Sequence, residues 1–113
     1  GGALDQALQA FRQAVEIDPA NQSARRNLAN ALLDLRQFPE ALQHAQAAVR
    51  LDPSDAVALD MQGLALAGAG RIVEAMTAFD RAAALAPADP DIRAHAAAVR
   101  GQRPRGTVAP PGR

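Results

Sequence analysis

Hydrophobic residues recur along the chain at the spacing of amphipathic helices. In residues 3–17 they fall three or four positions apart, which places them on one helical face. They are Leu4, Ala7, Leu8, Phe11, Ala14 and Val15. Similar patterns follow down the chain, and the segment that begins at Pro90 ends near Arg100 or Gly101. The predicted helices that follow residue 17 cover residues 22–35, 39–51, 56–67, 72–85 and 90–100.

Polar and turn-forming residues stand at the predicted ends of these helices. Asn21, Asp55 and Asp89 stand where a side-chain oxygen can cap the next helix by accepting a bond from a free backbone N–H. Prolines follow aspartates at two predicted helix ends. A proline disfavours the helical conformation for the residue before it, so the helix ends there. Pro39 suits a first helical position, and residues 68–70 are predicted to form a turn. The short connections predict antiparallel neighbouring helices.

The whole pattern returns at a shift of 34 residues. Pro19, Pro53 and Pro87 are spaced by 34, and smaller and larger apolar positions keep the same register. These sets are Ala7, Ala41 and Ala75; Ala14, Ala48 and Ala82; Leu4, Phe38 and Ile72; Leu8, Leu42 and Met76; and Ile17, Leu51 and Leu85. One period held at so many positions indicates a repeat protein, even in an alanine-rich chain.

A 34-residue period with small residues at fixed places and a closing proline resembles the tetratricopeptide repeat (TPR) family. The resemblance extends over about residues 2–100, although Arg25 and Leu59 stand where the family usually has a bulky residue, and Gln62 stands in place of a leucine. Besides the alanine sets and prolines, it is carried by Ala29 and Gly63, Leu32 and Leu66, and Phe11 and Phe79.

The resemblance implies an all-α fold, a right-handed superhelix of antiparallel helix pairs (a TPR-like α-solenoid). About two full repeats would follow a preceding helix and end in a C-terminal capping helix. We predict a repeat domain over residues 1–100 and a Gly/Pro/Arg-rich tail over 101–113, whose composition predicts disorder. Because Gly2 falls in register with a helix-to-helix turn, we interpret the chain as a fragment of a longer array.

Composition narrows the function classes. The chain has 113 residues, 29 of them alanine, with three Phe, no Trp and no Tyr, so one small domain with a thin core is expected. Twelve basic and twelve acidic residues give zero net charge, which argues against nucleic-acid binding. No apolar run is long enough to insert into a membrane, and no signal peptide is visible. The compartment stays unknown, with the cytoplasm slightly favoured.

Candidate chemistry is sparse. The chain lacks Cys, Lys and Tyr, and His44 and His95 lie on different helices without the spacing of a metal site. We therefore predict that the protein is not an enzyme and uses no cofactor or metal. The only hydroxyl side chains are those of Ser23, Ser54, Thr77 and Thr107.

The resemblance also implies a concave groove lined by the first helix of each unit. Its predicted peptide-binding residues are Ser23, Arg26, Asn27, Asn30, Leu33, Asp34, Val57, Asp60, Met61, Leu64 and His95. Asn27 and Asn30 each carry a donor and an acceptor that suit a peptide backbone, and Arg26 suits a carboxylate. Some family members clamp acidic chaperone C-termini, and Arg26 and Asn30 match the first part of that clamp. Met61 stands where it needs an asparagine, and Asp91 and His95 stand where it needs two bases.

Two functions remain open at this level. The first is a protein-interaction scaffold that binds a peptide or protein segment in the groove. The alternative is self-assembly into a homo-oligomer, either through the first helix, whose Leu4 and Phe11 lack a preceding helix to cover them, or through the tail. Simple truncation explains the uncovered helix equally well.

Overall fold

The structure, a computed structural model, describes residues 2–102 and contains six α-helices and no strand within that range. The helices are α1 (Gly2–Ile17), α2 (Gln22–Asp34), α3 (Phe38–Leu51), α4 (Ala56–Gly68), α5 (Ile72–Leu85) and α6 (Pro90–Gly101). The predicted all-α solenoid is confirmed. The predicted tail lies outside the described residues from position 103 onward.

Three helix starts are capped as predicted. The side chain of Asn21 accepts a bond from the backbone N–H of Ala24, and Asp55 and Asp89 do the same at the starts of α4 and α6. These caps are themselves 34 residues apart. Each one satisfies backbone donors that have no partner inside the helix, so it fixes where each first helix of a pair begins.

The turn within each helix pair has the same conformation in both repeats. Arg36 and Gly70 have positive φ angles of 60° and 83°, in the left-handed region. The following N–H groups, of Gln37 and Arg71, return to carbonyls near the helix end at 2.8 Å in both turns. This is the hydrogen-bond pattern that closes a helix with a left-handed residue. The two turns are therefore equivalent, although only one carries the glycine that this conformation favours.

Four predicted boundaries were wrong by one residue, two of them at the start of α1 (Gly2, not residue 3) and the end of α2 (Asp34, not residue 35). Helix α3 begins at Phe38, so Pro39 is the second helical residue and not the first. Gly68 is the last residue of α4 and not part of the turn. At Gly68 the ring of Phe38 occupies the space that a Cβ would fill. Glycine serves there for close packing, while the conformational demand of the turn falls on Gly70.

Small side chains let the helices approach closely. Helix α4 packs on α3 and α5, its sequence neighbours, and also on α2 and α6. Alanines of the repeated sets lie at these contacts with no exposed surface: Ala41, Ala48, Ala75 and Ala82. The largest fully buried side chains are Phe79, Leu28, Leu32 and Leu59. The core is thus thin, as predicted, and the alternate helices α2, α4 and α6 share one face of the stack.

Candidate functional site

The face shared by α2, α4 and α6 holds a hollow of about 530 Å³, within the size range of ligand pockets. Its wall is apolar at Leu33, Leu64 and Ala67, and polar at Asn30 and Asp34. The remaining lining residues are Arg36, Phe38, Gly68 and Gln102. The lining is mostly polar, and its apolar patch can take an apolar side chain while the polar groups bond the backbone that carries it.

One rim of the hollow is shaped by Phe38. Because Gly68 has no side chain, the half-buried ring of Phe38 lies directly against α4. The guanidinium carbon of Arg36 stands 5.3 Å from the centre of this ring, a cation–π distance. The positive charge of Arg36 is thereby held at the mouth of the hollow.

A polar cluster around Asp55 lies at the N-terminal ends of α2 and α4. Asp55 Oδ2 accepts from Gln22 Nε2 at 2.7 Å and pairs with Arg26 Nη1 at 3.2 Å, while Oδ1 caps α4. Arg26 Nε is buried without a hydrogen-bond partner within the described part of the chain. The guanidinium predicted to take a partner's carboxylate is therefore already paired with a carboxylate of the next repeat.

A second polar contact joins α4 to α6. Asp60 is only 8% exposed, and both of its carboxylate oxygens lie 2.9 Å from His95 Nδ1. Burial raises the pKa of the Asp60 carboxyl because it disfavours the charged form, and the bond from His95 acts in the opposite direction. The imidazole also packs against the ring of Phe79, with centroids 5.9 Å apart.

His95 also borders a smaller hollow of about 110 Å³ beside the first. Leu64, Ala67 and Gln102 line both hollows, so the two form one continuous depression along the C-terminal halves of α2 and α4. We call this depression the groove.

The structure brings together five of the eleven predicted groove residues. Asn30, Leu33, Asp34 and Leu64 line the larger hollow, and His95 lines the smaller one with Leu64. Arg26 and Asp60 are engaged in the contacts described above. Four others border neither hollow, of which Met61 is half-buried and three are exposed: Ser23, Asn27 and Val57. The peptide-binding role of all eleven stays a prediction.

Eight of the thirteen residues that line the two hollows were not among the predicted eleven, and Arg36, Phe38 and Gln102 are the polar or bulky ones at the larger hollow. Gln102 lies 34 residues after Gly68 and 68 after Asp34, so the repeat register was a usable signal for it. Arg36 belongs to the turn between α2 and α3, and Phe38 is the first residue of α3. A groove lined only by first helices leaves both of them out. The contact of Phe38 with Gly68 joins residues far apart in sequence and has no local signature.

Other kinds of site have little support in the described residues. Within residues 2–102 no three side chains of His, Cys, Asp or Glu are grouped so that they could hold a metal ion. None of the six helices is long and apolar enough to cross a membrane.

The family follows from the sequence profile of the tetratricopeptide repeat, which matches residues 1–64, more than half of the chain. The chain belongs to the TPR family. A search of curated protein sequences finds no match. Solved TPR domains share the fold of this TPR protein at low identity.

Three of these structures show the extent of the likeness. The second TPR domain of human RPAP3, in complex with an HSP70 peptide, is 24% identical, with 88% of this chain and 82% of that one covered and a TM-score of 0.82. The Arabidopsis OM64 TPR domain is 25% identical, with 90% and 84% covered and a TM-score of 0.83. MamA of Desulfovibrio magneticus RS-1 is 24% identical, with 90% and 58% covered and a TM-score of 0.85.

Proposed function

We propose that this TPR protein is a protein-interaction module that binds a peptide segment of a partner in its groove. The observation that carries the proposal is the hollow of about 530 Å³, which combines an apolar patch with a mostly polar lining that can form hydrogen bonds. Leu33 and Leu64 would receive an apolar side chain, and Asn30 can both donate to and accept from the peptide backbone. The peptide bound to the RPAP3 domain supports binding on this fold.

The bound segment should differ from an acidic chaperone C-terminus. Arg26, the one basic residue that matches the family's carboxylate clamp, is paired with Asp55. Asp91 is exposed at the start of α6 and would repel a carboxylate. We therefore propose a peptide without a terminal acidic cluster, and we expect the HSP70 peptide SGPTIEEVD to bind weakly or not at all.

A selection experiment tests this function. Short peptides are selected from a random display library on the full chain, and their affinity is measured by fluorescence anisotropy. The variant Ala67→Phe fills both hollows and should weaken binding of the selected peptides at least about tenfold. Ala84→Phe places the same ring at an exposed position of α5 outside the groove and should leave the affinity unchanged.

Two outcomes contradict the proposal. If no peptide is selected above background, the groove is not a peptide site. If Ala67→Phe and Ala84→Phe bind equally well, the peptides attach elsewhere. The conclusion that the protein is not an enzyme remains a prediction, although TPR repeats typically serve as interaction modules.

Self-assembly through α1 also remains a prediction. Val15 is the only buried residue of this helix, and Leu8 and Phe11 are partly buried against the core, while Leu4 is half-exposed. The apolar face of α1 is therefore partly covered by this chain's own core. Molar mass measured by light scattering decides the matter, because a mass of 11.8 kDa at every concentration would exclude a stable oligomer over that range.

A further inference from the structure

The contacts of His95 determine which of its nitrogens carries hydrogen. Nδ1 lies 2.9 Å from both oxygens of Asp60, and a carboxylate can only accept hydrogen bonds. The neutral imidazole must therefore donate from Nδ1, which leaves the lone pair on Nε2. Asp60 is buried and held on α4, so this requirement is built into the helix packing.

The same contacts leave Nε2 as the second nitrogen of a ring that borders the smaller hollow. One edge of the imidazole faces Asp60, and Phe79 packs against the ring at an interplanar angle of 41°. The side chain keeps 35% of its surface exposed on the smaller hollow. Within residues 2–102, Nε2 has no hydrogen-bond partner.

The second histidine has the opposite arrangement. His44 Nδ1 lies 3.1 Å from Arg25 Nη1, and a guanidinium can only donate. Nδ1 of His44 therefore accepts, and the hydrogen of the neutral ring sits on Nε2. Nε2 lies 4.0 Å from Glu40 Oε2. The chain thus contains one histidine of each neutral form, and each form is dictated by a partner with a single hydrogen-bonding role.

We propose that Asp60 fixes His95 in its Nδ1–H form, so that the groove presents His95 Nε2 as a hydrogen-bond acceptor for an N–H group of the bound peptide. The inference has two parts, the position of the hydrogen on His95 and the N–H group of the peptide that Nε2 would accept. The second part, which we call the ligand half, rests on the proposed function. A carboxylate has no N–H to offer this acceptor. Asp60 itself, with Asp89 and Asp91 near the start of α6, adds negative charge on the same side.

The hydrogen position is measured without any ligand. Nitrogen NMR of the ¹⁵N-labelled full chain, at about pH 8.5, above the ordinary titration range of histidine, distinguishes the two neutral forms by their ring-nitrogen shifts. We expect Nδ1–H for His95 and Nε2–H for His44, so each histidine serves as the reference for the other. An Nε2–H form at His95 would overturn the proposal.

Two substitutions test whether Asp60 is the cause. Asp60→Ala removes the acceptor, and the fraction of His95 in the Nδ1–H form should fall. Asp80→Ala is the matched control, because Asp80 also binds α6, through Arg100 at 2.6 Å, but is exposed and borders neither hollow. An unchanged His95 form in folded Asp60→Ala protein would show that Asp60 does not fix it. Should this variant fail to fold, the native spectrum still decides the first point.

The ligand half is tested with a fluorescein-labelled peptide selected on the native chain and with copies of it N-methylated at one backbone amide at a time. One methylation should weaken binding about 5–10-fold, the effect of losing one hydrogen bond. The same methylation should matter less in Asp60→Ala and fully in Asp80→Ala. If peptides bind but no methylation depends on Asp60, only this inference fails. If no peptide binds, both the proposed function and the ligand half are wrong. The hydrogen position on His95 is still decided by the NMR measurement.

Discussion

At the scale of single residues, two glycines of α4 each leave room for an aromatic ring of a neighbouring helix. Gly63 lies under Phe79 and Gly68 under Phe38, and in both places a Cβ would collide with ring atoms. The difference is the freedom of the ring. Phe79 is 1% exposed in the core, whereas Phe38 is half-buried at the rim of the groove and can turn away.

This difference predicts opposite results for one substitution. Gly63→Ala should lower the free energy of unfolding by about 1–2 kcal/mol, because overpacking outweighs the gain in helix propensity. Gly68→Ala should stay within about 0.5 kcal/mol of the native protein. Urea unfolding of both variants measures the effect. Equal stabilities would mean that the core around Phe79 yields as easily as the rim.

At the scale of helices, a charged cluster joins α1, α2 and α3. Arg12 forms a two-point salt bridge with Glu40, and His44 lies between Glu40 and Arg25. Burial, assisted by Arg25, lowers the pKa of the His44 imidazole. The bond from Arg12 lowers the pKa of the Glu40 carboxyl. The contacts between the first three helices therefore depend on pH through two groups with separate titration ranges.

The cluster predicts a loss of stability in mild acid. Because the folded state holds His44 neutral, the unfolded chain binds more protons below the ordinary pKa of 6.5, and the free energy of unfolding falls as pH falls. The depressed pKa of Glu40 adds its own loss only below about 4.5. His44→Gln, which keeps an acceptor for Arg25, should show a smaller decline between about pH 7.5 and 5.5.

Urea unfolding at the two pH values compares native protein, His44→Gln and Glu40→Gln. The Glu40 variant should keep the decline, since Glu40 raises the pKa of His44 and its removal favours the neutral ring further. An identical decline in native protein and His44→Gln would assign the pH dependence to another group.

At the scale of the whole molecule, stability should be graded along the stack, because repeats contact only their neighbours. Helix α4 packs on four other helices, whereas α1 packs on α2 and buries one residue, Val15. We expect amide hydrogen exchange to be slowest in α4 and fastest in α1. Exchange measured by NMR checks this order, and equal protection of all six helices would show a single cooperative unit instead.

The helices were predictable from sequence because their signals are local. Asn21 and Asp55 act within one turn, and the period of 34 fixes which alanines meet. The polar contacts of Asp55 and Asp60 were not predicted, since they cross between repeats. Gln22 with Asp55 and Asp60 with His95 are 33 and 35 residues apart, close to one period. Pairs separated by about one repeat length were thus a usable signal that pattern reasoning along single helices overlooked.

The positive φ of Arg36 has a consequence for anyone who redesigns this protein. Glycine occupies the equivalent turn position at Gly70, and the left-handed conformation costs other residues about 1–2 kcal/mol. An engineer who regularised the repeat with Arg36→Gly would expect a more stable scaffold. The same edit would remove the cation that rests on Phe38 at the mouth of the groove. Thermal stability and the proposed peptide binding therefore set opposite demands at this position, and a library of stabilised variants should leave residue 36 free to vary.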